Sequence, residues 1–139
     1  MNNQINRIVY VDDDSDDHLI FSLAVLEIKP TAILHTFSRC DQAISYLKDE
    51  TAPLPDIIFL DQYIHGNQNN ECLQELKKTA RLEQVPIVIY TTGGWSKLSE
   101  NATELGAYKY VIKPFIPEDI KMNLASIFTE FEGGKKGAG

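Results

Sequence analysis

Three aspartates in a row, Asp12, Asp13 and Asp14, follow an apolar run at positions 7–11, and Asp61 follows another at 56–60. Thr91 and Thr92 close the run at 86–90, and Lys113, followed by Pro114, closes the run at 107–112. Two like unit charges about 4 Å apart repel by about 4 kcal/mol at an effective dielectric near 20, so carboxylates gathered in one place need cations. One divalent ion and Lys113 would meet that need. Mg²⁺ suits such a site because it accepts one or two carboxylates, a carbonyl and several waters, leaving a position for a phosphoryl oxygen. Asp13 and Asp61 are the expected direct ligands, the Tyr63 carbonyl the backbone ligand, and Asp12 a partner through metal-bound water. A carboxylate at the tip of a buried strand can attack phosphorus to give an acyl phosphate, and Asp61 is placed for that role. Lys113 would pair with one phosphoryl oxygen and the Thr91 hydroxyl would donate to another.

Taken singly, each of these residues is ordinary turn or capping chemistry, so their joint order carries the assignment. Asp14, Asp16 and Asp17 read as helix N-terminal charges favoured by the macrodipole and stay outside the expected site. His18, His35 and His65 share no metal spacing.

The residues must be positioned by a scaffold. Five short apolar runs, at 7–11, 32–37, 56–60, 86–90 and 107–112, are strand candidates. Helical patterns at 16–28, 40–48, 71–80, 96–105 and 118–131 alternate with them. In the first helix Leu19, Ile20, Leu23, Ala24, Val25 and Leu26 are expected to crowd one side. Ser15 suits its N-cap and Lys29-Pro30 its end; Pro117, Glu118 and Asp119 suit the first turn of the last helix, and Gly106 a helix C′ position. Alternating βα units with near-continuous apolar strands predict a doubly wound α/β fold, a parallel sheet with helices on both faces. Ligands of such sheets bind outside the carboxyl ends of the strands, where all the residues named above lie.

The chain has 139 residues, 43% of them hydrophobic, which suits one domain over 6–131 with a disordered tail at 132–139. This reading leaves no residues for an output module. A formal net charge of −7 argues against binding nucleic acid or anionic membranes. No stretch reaches the roughly 18 apolar residues of a membrane span. Cys40 and Cys72 lack CxxC or metal spacing and read as reduced residues, which favours the cytoplasm.

The motifs Val11-Asp12-Asp13-Asp14, Phe59-Leu60-Asp61, Tyr90-Thr91-Thr92 and Tyr110-Val111-Ile112-Lys113-Pro114-Phe115 resemble the receiver domains of bacterial response regulators in two-component systems, over nearly the whole chain. Their spacing is similar to that of the single-domain chemotaxis regulator. The resemblance implies a flavodoxin-like, three-layer α/β/α fold with strand order 2-1-3-4-5 and five helices. It implies Mg²⁺-dependent transfer to Asp61 from a phosphohistidine on a sensor histidine kinase or phosphotransfer protein, then slow self-dephosphorylation. The chain is thus expected to act on itself alone and not as an enzyme on other substrates. It further implies a switch in which Thr91 moves toward the phosphoryl group and Tyr110 turns inward, changing a surface read by an unknown downstream protein.

The chain departs from the family after Asp61, where Ile64-His65 replaces the usual Met-Pro and Asn69 a glycine. Thr92 and Tyr63 are expected to hinder hydrolytic water and lengthen the phosphoryl lifetime. Gly93-Gly94-Trp95 is an unusual loop. A phosphatase of the haloacid dehalogenase type would need an acid two residues after its nucleophile, and Asp61-Gln62-Tyr63 has none. A flavin carrier would need a phosphate-cradling turn where three aspartates stand. A degenerate receiver that no longer takes phosphate is the nearest rival.

Overall fold

The computed structural model describes residues 4–61, 63–64, 67–68, 70–91 and 106–138. Strands β1 (Arg7–Val11), β2 (Ile33–Phe37) and β3 (Ile57–Leu60) alternate with helices α1 (Ser15–Ile28) and α2 (Cys40–Lys48). A short ladder of β4 (Tyr63–Ile64) and β5 (Asn67–Gln68) follows, then α3 (Asn70–Lys78), a single 3₁₀ turn at Ala80–Leu82, β6 (Ile87–Thr91), β7 (Lys109–Ile112) and α4 (Pro117–Ala138). The five long strands form one parallel sheet ordered β2-β1-β3-β6-β7, which is 2-1-3-4-5 when they alone are counted. Four helices are described; the one expected at 96–105 lies outside the described residues, as do Thr92 and the Gly93-Gly94-Trp95 loop.

The central strands are buried on both faces, which is why β1, β3 and β6 read as unbroken apolar runs. Because successive side chains point to opposite faces, the sheet sorts them into two cores. Val9, Val11, Ile58, Leu60, Ile87 and Ile89 meet Ala43 and Leu47 of α2 and Leu73 and Leu76 of α3. Ile8, Tyr10, Ile57, Phe59, Val88, Tyr90 and Val111 meet Phe21, Ala24 and Val25 of α1 and Ile120, Leu124, Ile127 and Phe128 of α4.

Several expectations are corrected. Asp14, not Ser15, caps α1, its carboxylate accepting from the amides of Asp16 (2.8 Å) and Asp17 (3.3 Å). Within α1, Phe21, Ala24 and Val25 are buried, but Leu19, Leu23 and Leu26 are each more than half exposed. They form an outer apolar stripe at i, i+4 and i+7, so the six residues do not share one side. Cys40 and Cys72 are joined as a disulfide between the start of α2 and the start of α3, with their Cα atoms 5.9 Å apart. The expectation of reduced cysteines rested on linear spacing, whereas packing of α2 against α3 brings them together.

The last helix runs to Ala138, so the tail expected to be disordered from residue 132 begins in helical backbone. Glu132 is fastened there: its carboxylate accepts from the Ile5 amide (2.8 Å) and from Lys29 Nζ (2.6 Å). Gly106 has φ of 113°, the left-handed conformation its residue type favours. Among the described residues no helix is long and apolar enough to cross a membrane.

Candidate functional site

The backbone ladder sets the site before any side chain is considered. Val11 is paired with Leu60 across β1 and β3, so Asp12 and Asp61 are each the first residue past a shared register position. The Asp12 amide donates to the Phe37 carbonyl (3.0 Å), the Asp61 amide to that of Val11 (2.9 Å) and the Lys113 amide to that of Thr91 (2.7 Å). Four residues at neighbouring strand ends are thereby fixed, at the point where strand order reverses. Among the described residues, Asp12, Asp61, Thr91 and Lys113 are the buried polar or charged ones in a core otherwise apolar.

Lys113 lies among acids. Its Nζ is 2.6 Å from Asp12 Oδ2, 2.9 Å from Asp17 Oδ2 and 3.5 Å from Asp61 Oδ2. The Thr91 hydroxyl donates to Asp61 Oδ1 at 2.6 Å. Tyr10, two residues before Asp12 and so on the same face of β1, donates its hydroxyl to Asp12 Oδ2 at 2.5 Å. Asp12 Oδ1 in turn accepts from the Asp14 amide at 3.0 Å. Both oxygens of this fully buried carboxylate are therefore engaged.

Electrostatics follow from this geometry. Burial opposes the charge on Asp12, but hydrogen bonds from Lys113 and Tyr10 outweigh it and hold the carboxyl below its ordinary range. Burial likewise works against the Lys113 ammonium, and the charges of Asp61 and Asp12 overcome it, raising its pKa. The Tyr10 hydroxyl stays protonated, pushed up by burial and then by the adjoining Asp12 charge. Carboxylate oxygens of Asp12, Asp17 and Asp61 all lie within 4.8 Å of one another. Three acids against one buried lysine leave an excess of negative charge in a low-dielectric place, a donor set that fits a hard divalent cation.

The structure brings together Asp12, Asp61, Thr91 and Lys113 as the sequence implies. Asp13 is exposed and is not part of the close acidic group. The Tyr63 backbone begins β4, paired with Gln68. Tyr110 is half-buried against the α2–α3 core, away from full exposure.

Asp17 is the residue that sequence reasoning excludes wrongly. It is the third residue of α1, and side chains in the first turn lean back toward the helix N-terminus, which carries its carboxylate to Lys113. A position that serves the macrodipole equally serves the site, so residue type alone cannot separate the two. Tyr10 also escapes notice, since an aromatic in a buried strand reads as packing. His18 ties α1 to the end of β1, its Nε2 donating to the Asp12 carbonyl while the ring rests 5.6 Å from that of Tyr10.

Residues 8–125 match the family model of the response regulator receiver domain. The phosphate regulon transcriptional regulatory protein PhoB of Escherichia coli K12 is 28% identical over 87 residues, 63% of this chain and 37% of that protein. PhoB of Pseudomonas aeruginosa is 28% identical over 120 residues, covering 86% of this chain and 50% of that one. The chain thus spans half or less of the length of these relatives. Among solved structures, the phosphorylated cyanobacterial phytochrome response regulator RcpA superposes with a TM-score of 0.82 at 21% identity, over 91% of this chain and 94% of that one. The receiver domain of the sensor histidine kinase PA1611 of Pseudomonas aeruginosa gives 0.75 at 18% identity, over 92% and 98%. With the sheet order, the strand-end acids and a family match over most of its length in agreement, this chain belongs to the response regulator receiver domain family of two-component systems.

Proposed function

We propose that the chain accepts a phosphoryl group on Asp61 in a Mg²⁺-dependent reaction and signals through a switched protein-binding surface. The observation that carries this is the Asp61 carboxylate itself, at the end of the central strand, hydrogen-bonded by Thr91 and facing Lys113 within a group of acids. Asp61 would hold the ion with the Tyr63 carbonyl, and Asp13, exposed and outside the close acidic group, would turn in to complete the set. Asp12, both of whose oxygens are already engaged, would reach it through water. When bound, the ion neutralises charge on the phosphoryl oxygens. The Mn²⁺-bound Rcp1 structure and the magnesium-coordinated PA1611 domain, which share this fold, support a divalent ion.

The residues of the chain do the rest. One oxygen of Asp61 attacks phosphorus in line while the bond to the donor nitrogen breaks, and Lys113 Nζ pairs with a phosphoryl oxygen. The Thr91 hydroxyl leaves Asp61 Oδ1 to donate to the phosphoryl group, and Tyr110 turns inward to change the surface beside β7. The donor is a phosphohistidine of a sensor kinase or phosphotransfer protein. The exposed Leu23 of α1 lines a groove with Pro117 and Lys121 of α4, and with the exposed Leu19, Phe115 and Ile116 it offers an apolar surface to such a helical partner. A cytoplasmic location rests on a phosphohistidine donor made from cytoplasmic ATP and no longer on the cysteines, since the Cys40–Cys72 link removes that argument. The net charge of −7 supports a downstream protein over nucleic acid or membrane. The chemistry is confined to Asp61, with no turnover of other substrates.

Incubation with acetyl phosphate and Mg²⁺, followed by intact mass, tests this. A single phosphoryl adduct is expected on the wild type and none on Asp61→Asn or without Mg²⁺. A folded wild-type protein that gains no adduct would make the chain a phosphorylation-independent scaffold.

A further inference from the structure

Lys113 contacts Asp61 but sits closer to two other acids. Its Nζ lies 2.6 Å from Asp12 and 2.9 Å from Asp17, both nearer than the 3.5 Å to Asp61. The Tyr10 hydroxyl, at 3.3 Å, adds a fourth neighbour on the same side as Asp12. Asp17 differs from the other acids in origin and surroundings. It comes from the first turn of α1 instead of a strand end, and its side chain is 29% exposed where those of Asp12 and Asp61 are nearly or fully buried.

We infer that Asp17 is a positioning residue, a resting-state anchor that holds the Lys113 ammonium toward α1 until a phosphoryl group draws it over. The inference rests on the phosphoacceptor reading above. To pair with a phosphoryl oxygen on Asp61, Lys113 must weaken its contact with Asp17, because one ammonium has three donors and four oxygens already surround it. That contact exists in the unphosphorylated protein and is loosened in the phosphorylated one. It therefore stabilises the first state relative to the second, and a residue that favours one side of an equilibrium sets its position by that difference alone. Asp12 does not act in this way, since its burial and its Tyr10 hydrogen bond hold it beside Lys113 in both states.

Replacing Asp17 by Asn keeps the shape and removes the charge. A charge-assisted contact at a partly exposed site is modest, so the expected gain is roughly threefold to tenfold in the rate of adduct formation and in the ratio of phosphorylated to unphosphorylated protein at fixed acetyl phosphate. Asp17→Glu should return both toward wild type, which a defect of helix packing would not allow. The Mg²⁺ dissociation constant, measured by calorimetry on the same variants, separates anchoring from ligation. Anchoring predicts a change of a few-fold at most, from the lost charge.

Three results would overturn the inference in distinguishable ways. A Mg²⁺-dependent adduct on Asp17→Asn that forms no faster than on the wild type leaves the phosphoacceptor reading intact and removes the anchor. A loss of Mg²⁺ affinity of roughly a hundredfold would make Asp17 a metal ligand instead. Absence of any adduct on the folded wild type would end both readings together.

Discussion

The two faces of the sheet bury similar numbers of strand residues but are built of different materials. The face under α2 and α3 is aliphatic, from Val9 and Val11 through Leu73 and Leu76, and a Cys40–Cys72 disulfide fastens its two helices together. The face under α1 and α4 is aromatic: Phe21 stacks on Tyr10 with centroids 4.0 Å apart and meets Phe59 and Tyr90 edge-on. Its helices are held by ion pairs, Lys121 with Glu27 and Lys29 with Glu132. Strand alternation explains why the difference matters. Asp12, Asp61 and Lys113 each stand two residues beyond Tyr10, Phe59 and Val111, all members of the aromatic face. The three charged residues continue the aromatic core, which Tyr10 joins to the site, whereas Thr91 stands two residues beyond Ile89 of the aliphatic face.

The largest effects should therefore come from breaking the aromatic face. Phe21→Ala is expected to cost about 3–5 kcal/mol in urea unfolding and also to slow adduct formation, because Tyr10 loses the ring that holds its hydroxyl on Asp12. Leu76→Ala on the other face should cost a similar amount, about 2–5 kcal/mol, while the folded protein takes up phosphate at the wild-type rate. Equal kinetic damage from both variants would erase the distinction between the faces.

Somewhat smaller is the contribution of the covalent link. A loop closed across 32 positions constrains the unfolded chain by about 3–4 kcal/mol in the chain-entropy account. Replacing both cysteines by serine should lower stability by up to that amount with little change in Asp61 chemistry. A non-reducing peptide map showing both thiols alkylated in the untreated protein would remove the link itself.

The smallest effect concerns the ion pairs that fasten α1 to α4. Burial opposes the charge on Glu132, but the Ile5 amide and Lys29 hold its carboxyl below the ordinary range. A group depressed on folding lends stability above its unfolded pKa and loses it as pH falls through the folded value. The difference in thermal midpoint between wild type and Glu132→Gln should thus be present at neutral pH and shrink on acidification. A difference that grew as pH fell would reverse the assignment.

Strands and site order were legible because both are local. A β-branched run ending in a polar residue states its burial and its polar end together, and four such ends, two acids, a threonine and a lysine, in fixed order define the site. What escaped depends on neighbours. The outer stripe of α1 was hidden because an apolar residue at Leu19 or Leu23 looks the same whether it faces a core or a partner. The Cys40–Cys72 link needs two helices to be placed first. The β4–β5 ladder involves only two residues on each side, too few for a period to show. Asp17 was lost in a run of acids whose helix-capping use is sufficient explanation for any one of them.

The disulfide also divides the chain as a graph: a closed ring with two open arms. Asp61 lies in the ring, between Cys40 and Cys72, while Asp12 is on one arm and Thr91 and Lys113 are on the other. A mechanical pull on the two termini runs through the link and leaves the ring slack. The extendable contour is shortened by roughly 110 Å, and the phosphoacceptor strand carries no tension once the arms that complete its site have been drawn away.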